Sequence, residues 1–412
     1  MRGINLDSFL YFGYSLEYKN DIYDVDFSNI NKEKYAKADE TELIRLGSKL
    51  LRESVSNLYY SNDKHLVPLS GGSDSRALIA LLLEHTNVSS IKTYTFGTPK
   101  TFDYEIGNYL ADKIGTKHFK FDLTKHIYTE KEFFDVSKRV DFQSPLFLHP
   151  PVKELLNRFK EDTIWSGANA GAVVGSFYRA DSAENYQEAQ NRFINKARFS
   201  SSNLIPENKI NGLTKYMEDD FISPNKLTYD EQVFFKERSI KHLAPHVLMK
   251  GFTYKIPFVN SVFMDFMLSV PNEYRLKKNL YKKILNHMYP YEFALKSETR
   301  YGYTAQAPEI LIKIKQKYVR LLRILKYKYP KFPLPTNPMI NYLDFNHAFR
   351  KNVWLKKMVY SNLCDLKKRY LINYIDIEII WNLHQAYKGN FAEEIITLFT
   401  LEIYLKQGIK VN

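Results

Sequence analysis

Short apolar runs alternate with helically spaced apolar positions through the first 165 residues. The runs predict buried strands at residues 65–69, 91–96, 117–123 and 163–165. The helical spacing predicts helices at 41–58, 77–84 and 104–114, the last ending at Gly115. Because strands that alternate with helices form parallel sheets covered on both faces, the pattern predicts an α/β fold with flanking helices.

The pattern changes beyond about residue 185, where glycines become sparse and long Lys-, Leu-, Tyr- and Phe-containing segments predict a mostly helical region. We therefore divide the chain into a lead-in or linker at 1–40, an α/β core at 41–185 and a mostly helical, substrate-side region at 186–412. No internal repeat is evident.

One segment of the helical region, residues 311–331, is strongly basic and amphipathic. It contains eight Lys and Arg residues and no acidic residue. Its apolar stripe consists of Leu311, Ile314, Tyr318, Leu321, Leu322 and Leu325. Two interpretations stay open here: the solvated outer face of a packed helix, or a surface that docks on an anionic polymer, carrier or membrane.

Composition excludes several classes of protein. The chain has 412 residues, 44% of them hydrophobic and 25% charged, which is typical of a folded protein rather than a disordered one. Cys364 is the single cysteine, so a disulfide scaffold is excluded. Neither a signal peptide nor an apolar run of ~18 residues is evident, so we expect a cytoplasmic protein without a transmembrane segment. With 59 Lys+Arg against 46 Asp+Glu, the net charge of +13 suits anionic partners.

The segment LSGGSDSR at 69–76, between a predicted strand and a helix, carries the most informative chemistry. Gly71 and Gly72 allow a sharp turn and close approach to an anion, and Ser70 and Ser75 offer hydroxyl groups. The following helix N-terminus presents free amides, and Asp74 offers a hard oxygen ligand for Mg²⁺. These features predict a pyrophosphate cradle. It is neither a Walker loop, which needs a lysine after the glycines, nor a GxGxxG fingerprint.

This loop resembles the SGGxDS loop of the ATP pyrophosphatase superfamily, and further segments resemble the synthetase domain of the asparagine synthetase family. Residues 6–14 (LDSFLYFGY) resemble the linker that opens that domain, and 164–171 (IWSGANAG) lie at its SGEGxDE loop. Residues 255–260 (KIPFVN) lie at its RxPFLD motif, 300–303 (RYGY) at its KxGF motif and 390–402 at its closing helix. The resemblance implies an adenine nucleotide alpha hydrolase-like (HUP-type) sheet.

The resemblance also implies an activity and a site. Family members adenylate a carboxylate with ATP, releasing pyrophosphate, and an amine then displaces AMP to form an amide. The cofactors would be ATP and Mg²⁺, with Asp74 as metal ligand. The implied ATP-binding residues are Leu69, Ser70, Gly71, Gly72, Asp74, Ser75, Phe96, Ser166 and Gly167. Arg300 would take the place of the family lysine that stabilises charge on the phosphate in the transition state, so Arg300 and Asp74 are the implied catalytic residues.

Departures from the family pattern bear on the mechanism. The acidic positions of the SGEGxDE loop are occupied by Ala168, Gly171 and Ala172. Asn260 replaces the aspartate of RxPFLD, and Thr253 stands where a glutamate usually precedes the arginine. The chain opens near the linker, with Arg2 where a glutaminase nucleophile would stand, so we expect no glutaminase in cis. The amine would be free ammonia, the product of a separate ammonia-supplying subunit, or a group on the substrate.

The resemblance implies an ATP-dependent, AMP-forming amide ligase, and by analogy with the family alone we prefer a carboxylated sugar of surface-glycan biosynthesis as the substrate class. Because the usual acidic positions are substituted, another carboxylate would have to act as general acid or base. The candidates are Asp103, Glu105, Asp141 and Asp181. His149 is assigned a structural role. One alternative is a tRNA-modifying ATP pyrophosphatase, although a nucleic-acid substrate is disfavoured by the single cysteine. The other is a non-catalytic nucleotide-binding partner subunit, favoured by the losses at Ala168, Gly171 and Thr253.

Overall fold

A computed structural model describes residues 3–19, 25–177, 181–217, 225–329, 331–332 and 334–412. Arg2 lies outside these described residues. The strands are β1 (Gly3–Ile4), β2 (His65–Pro68), β3 (Ile91–Gly97), β4 (Lys117–Asp122), β5 (Thr163–Trp165), β6 (Thr253–Lys255) and β7 (Lys410–Val411).

Five of these strands form one parallel sheet in the order β4-β3-β2-β5-β6. The loop that follows β2 therefore lies at the centre of the carboxyl edge, where open parallel sheets bind their ligands. The predicted α/β class and the four predicted strands are confirmed. The fifth strand, β6, comes from the part of the chain that the sequence pattern marks as mostly helical.

The helices up to the sheet's last strand are α1 (Leu6–Phe12), α2 (Glu40–Ser56), α3 (Ser73–Leu83), α4 (Phe102–Ile114), α5 (Glu130–Arg139), α6 (Val152–Phe159), α7 (Ala170–Val173), α8 (Tyr186–Ala197), α9 (Glu207–Asn211), α10 (Tyr229–Val233) and α11 (Ala244–Val247). A π-helix, Phe234–Leu243, joins α10 to α11. After β6 come α12 (Ser261–Ser269), α13 (Asn272–Arg275), α14 (Asn279–Met288), α15 (Pro290–Ala294), α16 (Glu309–Lys328), α17 (Phe345–Lys351), α18 (Val353–Lys368), α19 (Ile377–Gln385) and α20 (Ala392–Lys406). Short 3₁₀ turns occur at Val88–Ser90, Gly212–Tyr216, Pro257–Val259, Leu276–Lys278 and Glu298–Arg300.

Both faces of the sheet are covered, as parallel sheets require. On one face α2, α3, α4, α12 and α14 build a large apolar core. On the other face a smaller cluster joins Leu66, Tyr94 and Ile164 of the sheet to Leu155 and Phe159 of α6. The predicted helix at 77–84 begins earlier than expected, at Ser73, because Gly72 already has the extended backbone of an N-cap. As a result Asp74 lies in the first helical turn.

A second apolar core is organised around α20, from Ala392 to Tyr404. Helix α1 from the lead-in packs into this core, together with α5, α17 and α18. Next to them β1 pairs in parallel with β7.

The predicted basic segment forms helix α16, but the side of the helix that is buried is not the predicted apolar stripe. Ile312, Val319 and Leu322 are buried, whereas most of the predicted stripe is exposed. In the described part of the chain no helix combines the length and the apolar character that crossing a bilayer requires.

Candidate nucleotide site

The loop between β2 and α3 is shaped by its own hydroxyl groups. The Gly72 N–H donates to Ser70 Oγ (3.2 Å), and the Ser70 N–H donates to Ser75 Oγ (3.3 Å). The Gly71 N–H donates to Asp103 Oδ1 (3.1 Å), which ties the loop to the first turn of α4. The space at Gly71 is tight, since an added Cβ would lie 3.3 Å from both Asp103 Oδ1 and Glu298 Cβ. The loop is thus preformed, with the α3 N-terminus and its dipole directed at its mouth.

Asp74 projects from this first turn and is oriented by two donors. Ser73 Oγ donates to Asp74 Oδ1 (3.0 Å), and the Tyr281 hydroxyl of α14 donates to the same oxygen (3.1 Å). Burial and the neighbouring Asp74 charge raise the pKa of Tyr281 well above its ordinary value, so this hydroxyl stays a donor. Gly167 approaches from the other side, since a Cβ there would lie 3.1 Å from Asp74 Cβ.

A cavity of about 370 Å³ opens above this loop. Seven of the nine predicted ATP-binding residues line it: Leu69, Ser70, Asp74, Ser75, Phe96, Ser166 and Gly167. The other two, Gly71 and Gly72, lie in the loop without lining the cavity. Three different strand ends, those of β2, β3 and β5, bring these residues together.

The segment after β5 forms one wall of the cavity. The Ser166 N–H donates to the Lys255 carbonyl (2.9 Å), and Ser166 Oγ accepts from the Ala168 N–H (3.1 Å). Asn169 has left-handed backbone (φ 59°), which asparagine tolerates better than most residues. Its Oδ1 accepts from Ser239 of the π-helix (2.5 Å). Ala168 lines the cavity, so its methyl group replaces a carboxylate there.

The other departures from the family pattern lie outside the cavity lining. Gly171 lies in α7, where an added Cβ would come 3.0 Å from Ser176 Oγ. Thr253 is the exposed first residue of β6. Asn260 caps α12 by accepting from the Val262 N–H (3.2 Å), a role that aspartate would also serve.

Of the four candidate acid/base carboxylates, the structure places Asp103 in the cavity. Burial raises the pKa of Asp103, and the bond from Gly71 opposes this shift. Glu105 accepts from the Lys100 N–H (2.7 Å), and Asp141 pairs with Lys250 (2.7 Å). These two, like Asp181, do not line the cavity. Asp103 is therefore the candidate with access to a bound ligand.

Arg300 lies in a turn that touches the loop, but its guanidinium group is engaged elsewhere. It donates to the carbonyls of Thr304 (2.9 Å) and Ala307 (2.9 Å) and to Glu309 (3.0 Å). The turn meets the loop through the Glu298 N–H, which donates to the Gly71 carbonyl (3.4 Å). Arg300 does not line the cavity, and a role on phosphate would require its guanidinium to leave these three partners.

Sequence reasoning missed four cavity residues that come from distant segments. Leu243 and Val247 enter from the π-helix and α11, and Asn341 and Tyr342 from the segment before α17. The Tyr342 carbonyl accepts from Thr98 Oγ1 (2.7 Å), and the Tyr342 ring lies 5.9 Å from that of Phe96. Burial, with a smaller effect of Asp103, raises the pKa of Tyr342 to about 12. No local motif marks these positions, because they reach the cavity through tertiary packing.

The donor set fits a nucleotide with its magnesium ion. Mg²⁺ bound to phosphates needs one or two protein carboxylates and keeps its waters, and Asp74 is placed to supply one. Among the described residues there is no group of three or more His, Cys, Asp or Glu side chains that could cage a metal by themselves. The site therefore fits a cation that arrives with ATP, and Asp74 with the hydroxyl groups of Ser70 and Ser75 would hold the pair.

Comparison with known families agrees with this geometry. Residues 47–143 match the family described as Asparagine synthase. This stretch contains the loop, Phe96 and Asp103, whereas Ser166, Gly167 and Arg300 lie beyond it. No curated protein matches the chain.

Proposed function

From the premise that residues 47–143 form part of an asparagine synthetase-family synthetase domain, whose members are ATP-dependent ligases, we propose that the protein is an AMP-forming amide ligase. One observation carries the proposal. Ser70, Asp74 and Ser75, which suit a pyrophosphate group, share a single cavity with Phe96, Ser166 and Gly167, which suit an adenosine.

The proposed reaction has two steps. A substrate carboxylate oxygen attacks the α-phosphorus of ATP, so that an acyl-adenylate forms and pyrophosphate leaves. An amine nitrogen then attacks the acyl carbon, loses a proton, and displaces AMP. The amides and hydroxyl groups around Gly72 and Ser75 hold the departing pyrophosphate, as helix N-termini hold anions. Bound Mg²⁺ would supply charge neutralisation on the phosphates.

We assign removal of the proton from the amine to a side chain that lines the cavity. Asp103 is the candidate carboxylate that lines it, and its raised pKa reflects burial. When free ammonia is the nucleophile, the proton can leave to solvent, and the substitutions at Ala168 and Gly171 are compatible with turnover.

A second and larger cavity has basic lining residues that suit an anionic acceptor substrate. It has a volume of about 810 Å³ and is lined by Arg320, Arg323 and Lys326 of α16, with Asp344 and Glu393 among its other residues. Asn337, Ile340 and Leu343 line this cavity, whereas Asn341 and Tyr342 line the nucleotide cavity, so one segment borders both. The basic residues of this lining and the net charge of +13 suit an anionic acceptor, and the choice of a carboxylated sugar rests on analogy with the family.

The first experiment is ATP–pyrophosphate exchange with Mg²⁺ over a panel of uronic acids, nucleotide-sugar acids, amino acids and peptides. We expect exchange that depends on one carboxylate and is lost by at least about 100-fold in Asp74→Ala, because the metal ligand is removed. Asp112→Ala, an exposed aspartate of α4, is the matched control and should exchange like wild type.

Two results would contradict the proposal. Exchange that persists in Asp74→Ala would contradict the assignment of Asp74 as a ligand of the metal. Absence of exchange with every carboxylate, together with absence of ATP binding, would instead assign the chain to the non-catalytic partner subunits.

A further inference from the structure

Helix α16 exposes a continuous apolar stripe. Five large apolar side chains, Ile310, Leu311, Ile314, Tyr318 and Leu321, are exposed by 63, 41, 57, 46 and 54%. At about 100° per residue the five positions fall within an arc of about 100°, so they lie on one side of the helix. Apolar patches of this kind are rare on soluble monomers and mark interaction surfaces.

The stripe is exposed although α16 is packed against the rest of the protein. Ile312, Val319 and Leu322 lie on another side of α16 and are 8, 3 and 4% exposed. Val319 belongs to the core that covers the sheet. The helix is therefore held on the protein by one face and presents a second apolar face to the outside.

Basic residues flank the exposed stripe. At about 100° per residue, Lys313, Lys317 and Lys328 fall along one border and Lys315 falls along the other. Lys315, Lys317 and Lys328 have no acidic partner three or four residues away within the helix, and Glu309 in the first turn is its single acidic residue. Long lysine side chains can lie along an apolar face and reach outward with their charge.

Two exposed aromatic rings follow the stripe in the chain, at and just beyond the end of the helix. Tyr329 and Phe332 are 49 and 71% exposed. Aromatic rings at the border of an apolar face are typical of segments that lie in a membrane–water interface.

We propose that α16 docks the protein on an anionic lipid bilayer, with the stripe buried at the boundary between headgroups and acyl chains and the lysines on lipid phosphates. A second copy of the chain fits this surface less well, since two such helices would bring like charges together. Nucleic acid fits less well because four of the five stripe residues are aliphatic and cannot stack with bases as aromatic rings do. Charge complementarity and an aliphatic face together select a lipid surface.

The test is co-sedimentation of the full chain with large vesicles of phosphatidylcholine containing 30% phosphatidylglycerol. We expect binding that falls at least about tenfold with pure phosphatidylcholine vesicles, and that weakens when salt is raised from about 0.05 to 0.5 M. The triple variant Leu311→Ser/Ile314→Asn/Leu321→Ser should lose at least about tenfold in partitioning without any change of net charge. Ile127→Asn, an exposed isoleucine outside α16, is the matched control and should bind like wild type.

A second variant isolates the electrostatic contribution. Lys313→Gln/Lys317→Gln/Lys328→Gln should bind anionic vesicles at least about fivefold more weakly and show a shallower salt dependence. Circular dichroism and ATP binding check that every variant folds, so a failure of docking is distinguishable from a failure of the site.

Three outcomes would overturn the proposal. The first is no partitioning of wild type onto anionic vesicles, and the second is partitioning that the two triple variants leave unchanged. The third is a concentration-dependent dimer that the apolar variant abolishes, because the stripe would then be an interface between copies.

Discussion

Asp74 is held in place by hydroxyl donors of the protein itself. The Tyr281 hydroxyl lies 3.1 Å from Asp74 Oδ1 and comes from α14, more than two hundred residues along the chain. The motif around Asp74 predicts its role as a metal ligand, but not this partner. From the sequence, a tyrosine at the apolar spacing of a helix is predicted to be a core residue. Its hydroxyl contact with Asp74 depends on how α14 is placed relative to α3, which the spacing does not show.

Removing that hydroxyl tests whether Asp74 is pre-oriented. Tyr281→Phe keeps the ring and deletes one hydrogen bond to a charged group, worth about 1.5 to 3 kcal/mol. We expect Mg²⁺-dependent ATP binding to weaken by about ten- to a hundredfold, since each ~1.4 kcal/mol changes an affinity tenfold, and isothermal titration measures it. Tyr289→Phe is the control, since its hydroxyl donates to Glu84 (2.6 Å) away from the cavity. Equal losses in both variants would contradict a specific role for Tyr281.

At the scale of elements, a buried ion pair holds α10 against α13 behind the site. Arg275 Nη1 lies 2.6 Å from Glu231 Oε1, and both side chains are almost completely buried. Arg275 also donates to the Val173 carbonyl of α7 (3.1 Å), and an added Cβ at Gly175 would lie 2.4 Å from the Arg275 carbonyl. This pair therefore sets the position of the segment that follows Ser166 and Gly167.

Breaking this pair should destabilise the whole fold. Glu231→Gln leaves a buried guanidinium without its counter-charge, and such a change costs about 3 to 5 kcal/mol. We expect urea unfolding to show a loss of that size. Glu231→Leu/Arg275→Met removes both charges and should recover part of it. A loss below about 1 kcal/mol in the single variant would contradict the assignment.

At the scale of the whole molecule, a cluster formed by the buried His149 and His242 and the partly buried His246 joins the N-terminal lead-in to the π-helix and α11. Ser144 Oγ bonds with His149 Nε2 (3.0 Å) and His246 Nδ1 (2.6 Å), and His242 stacks on Tyr14. Burial is the largest cause that lowers the pKa of all three, that of His246 to about 4. Arg238 adds to the lowering of the pKa of His242 and His246, and neighbouring histidines add to that of His149 and His242. His149 is thus part of a packed cluster, in agreement with the structural role expected for it.

The cluster predicts loss of stability in acid. Unfolded histidines bind protons below about pH 6.5, whereas the folded cluster stays neutral to much lower pH, so the unfolded state binds more protons as pH falls. We expect the free energy of unfolding to drop between about pH 6.5 and 4, and His246→Asn to flatten that drop. Urea titrations at pH 7.5, 6 and 5 measure it, with the exposed His287→Gln as control. Identical pH slopes for His246→Asn and wild type would contradict this role.

The sequence by itself determined the α/β class, four strands of the sheet and seven of the residues that line the cavity. It could do so because hydrophobic periodicity and the glycine-serine loop are local signals, carried by neighbouring residues whatever the rest of the chain does. The family resemblance implied Leu69, Phe96 and Ser166, and the structure places all three at the carboxyl ends of neighbouring parallel strands, which meet at one edge of the sheet.

Only the tertiary structure decided which distant groups complete the site. The strand β6 has the sequence Thr-Tyr-Lys, which is not an apolar run, and it is recognisable through its pairing with β5. Tyr342 enters the cavity, and the Arg300 guanidinium turns to Glu309, because of how long segments pack. The periodicity of α16 likewise shows an apolar stripe without showing whether the rest of the protein covers it. Contacts between residues far apart in the chain decide such questions, and a local pattern does not contain them.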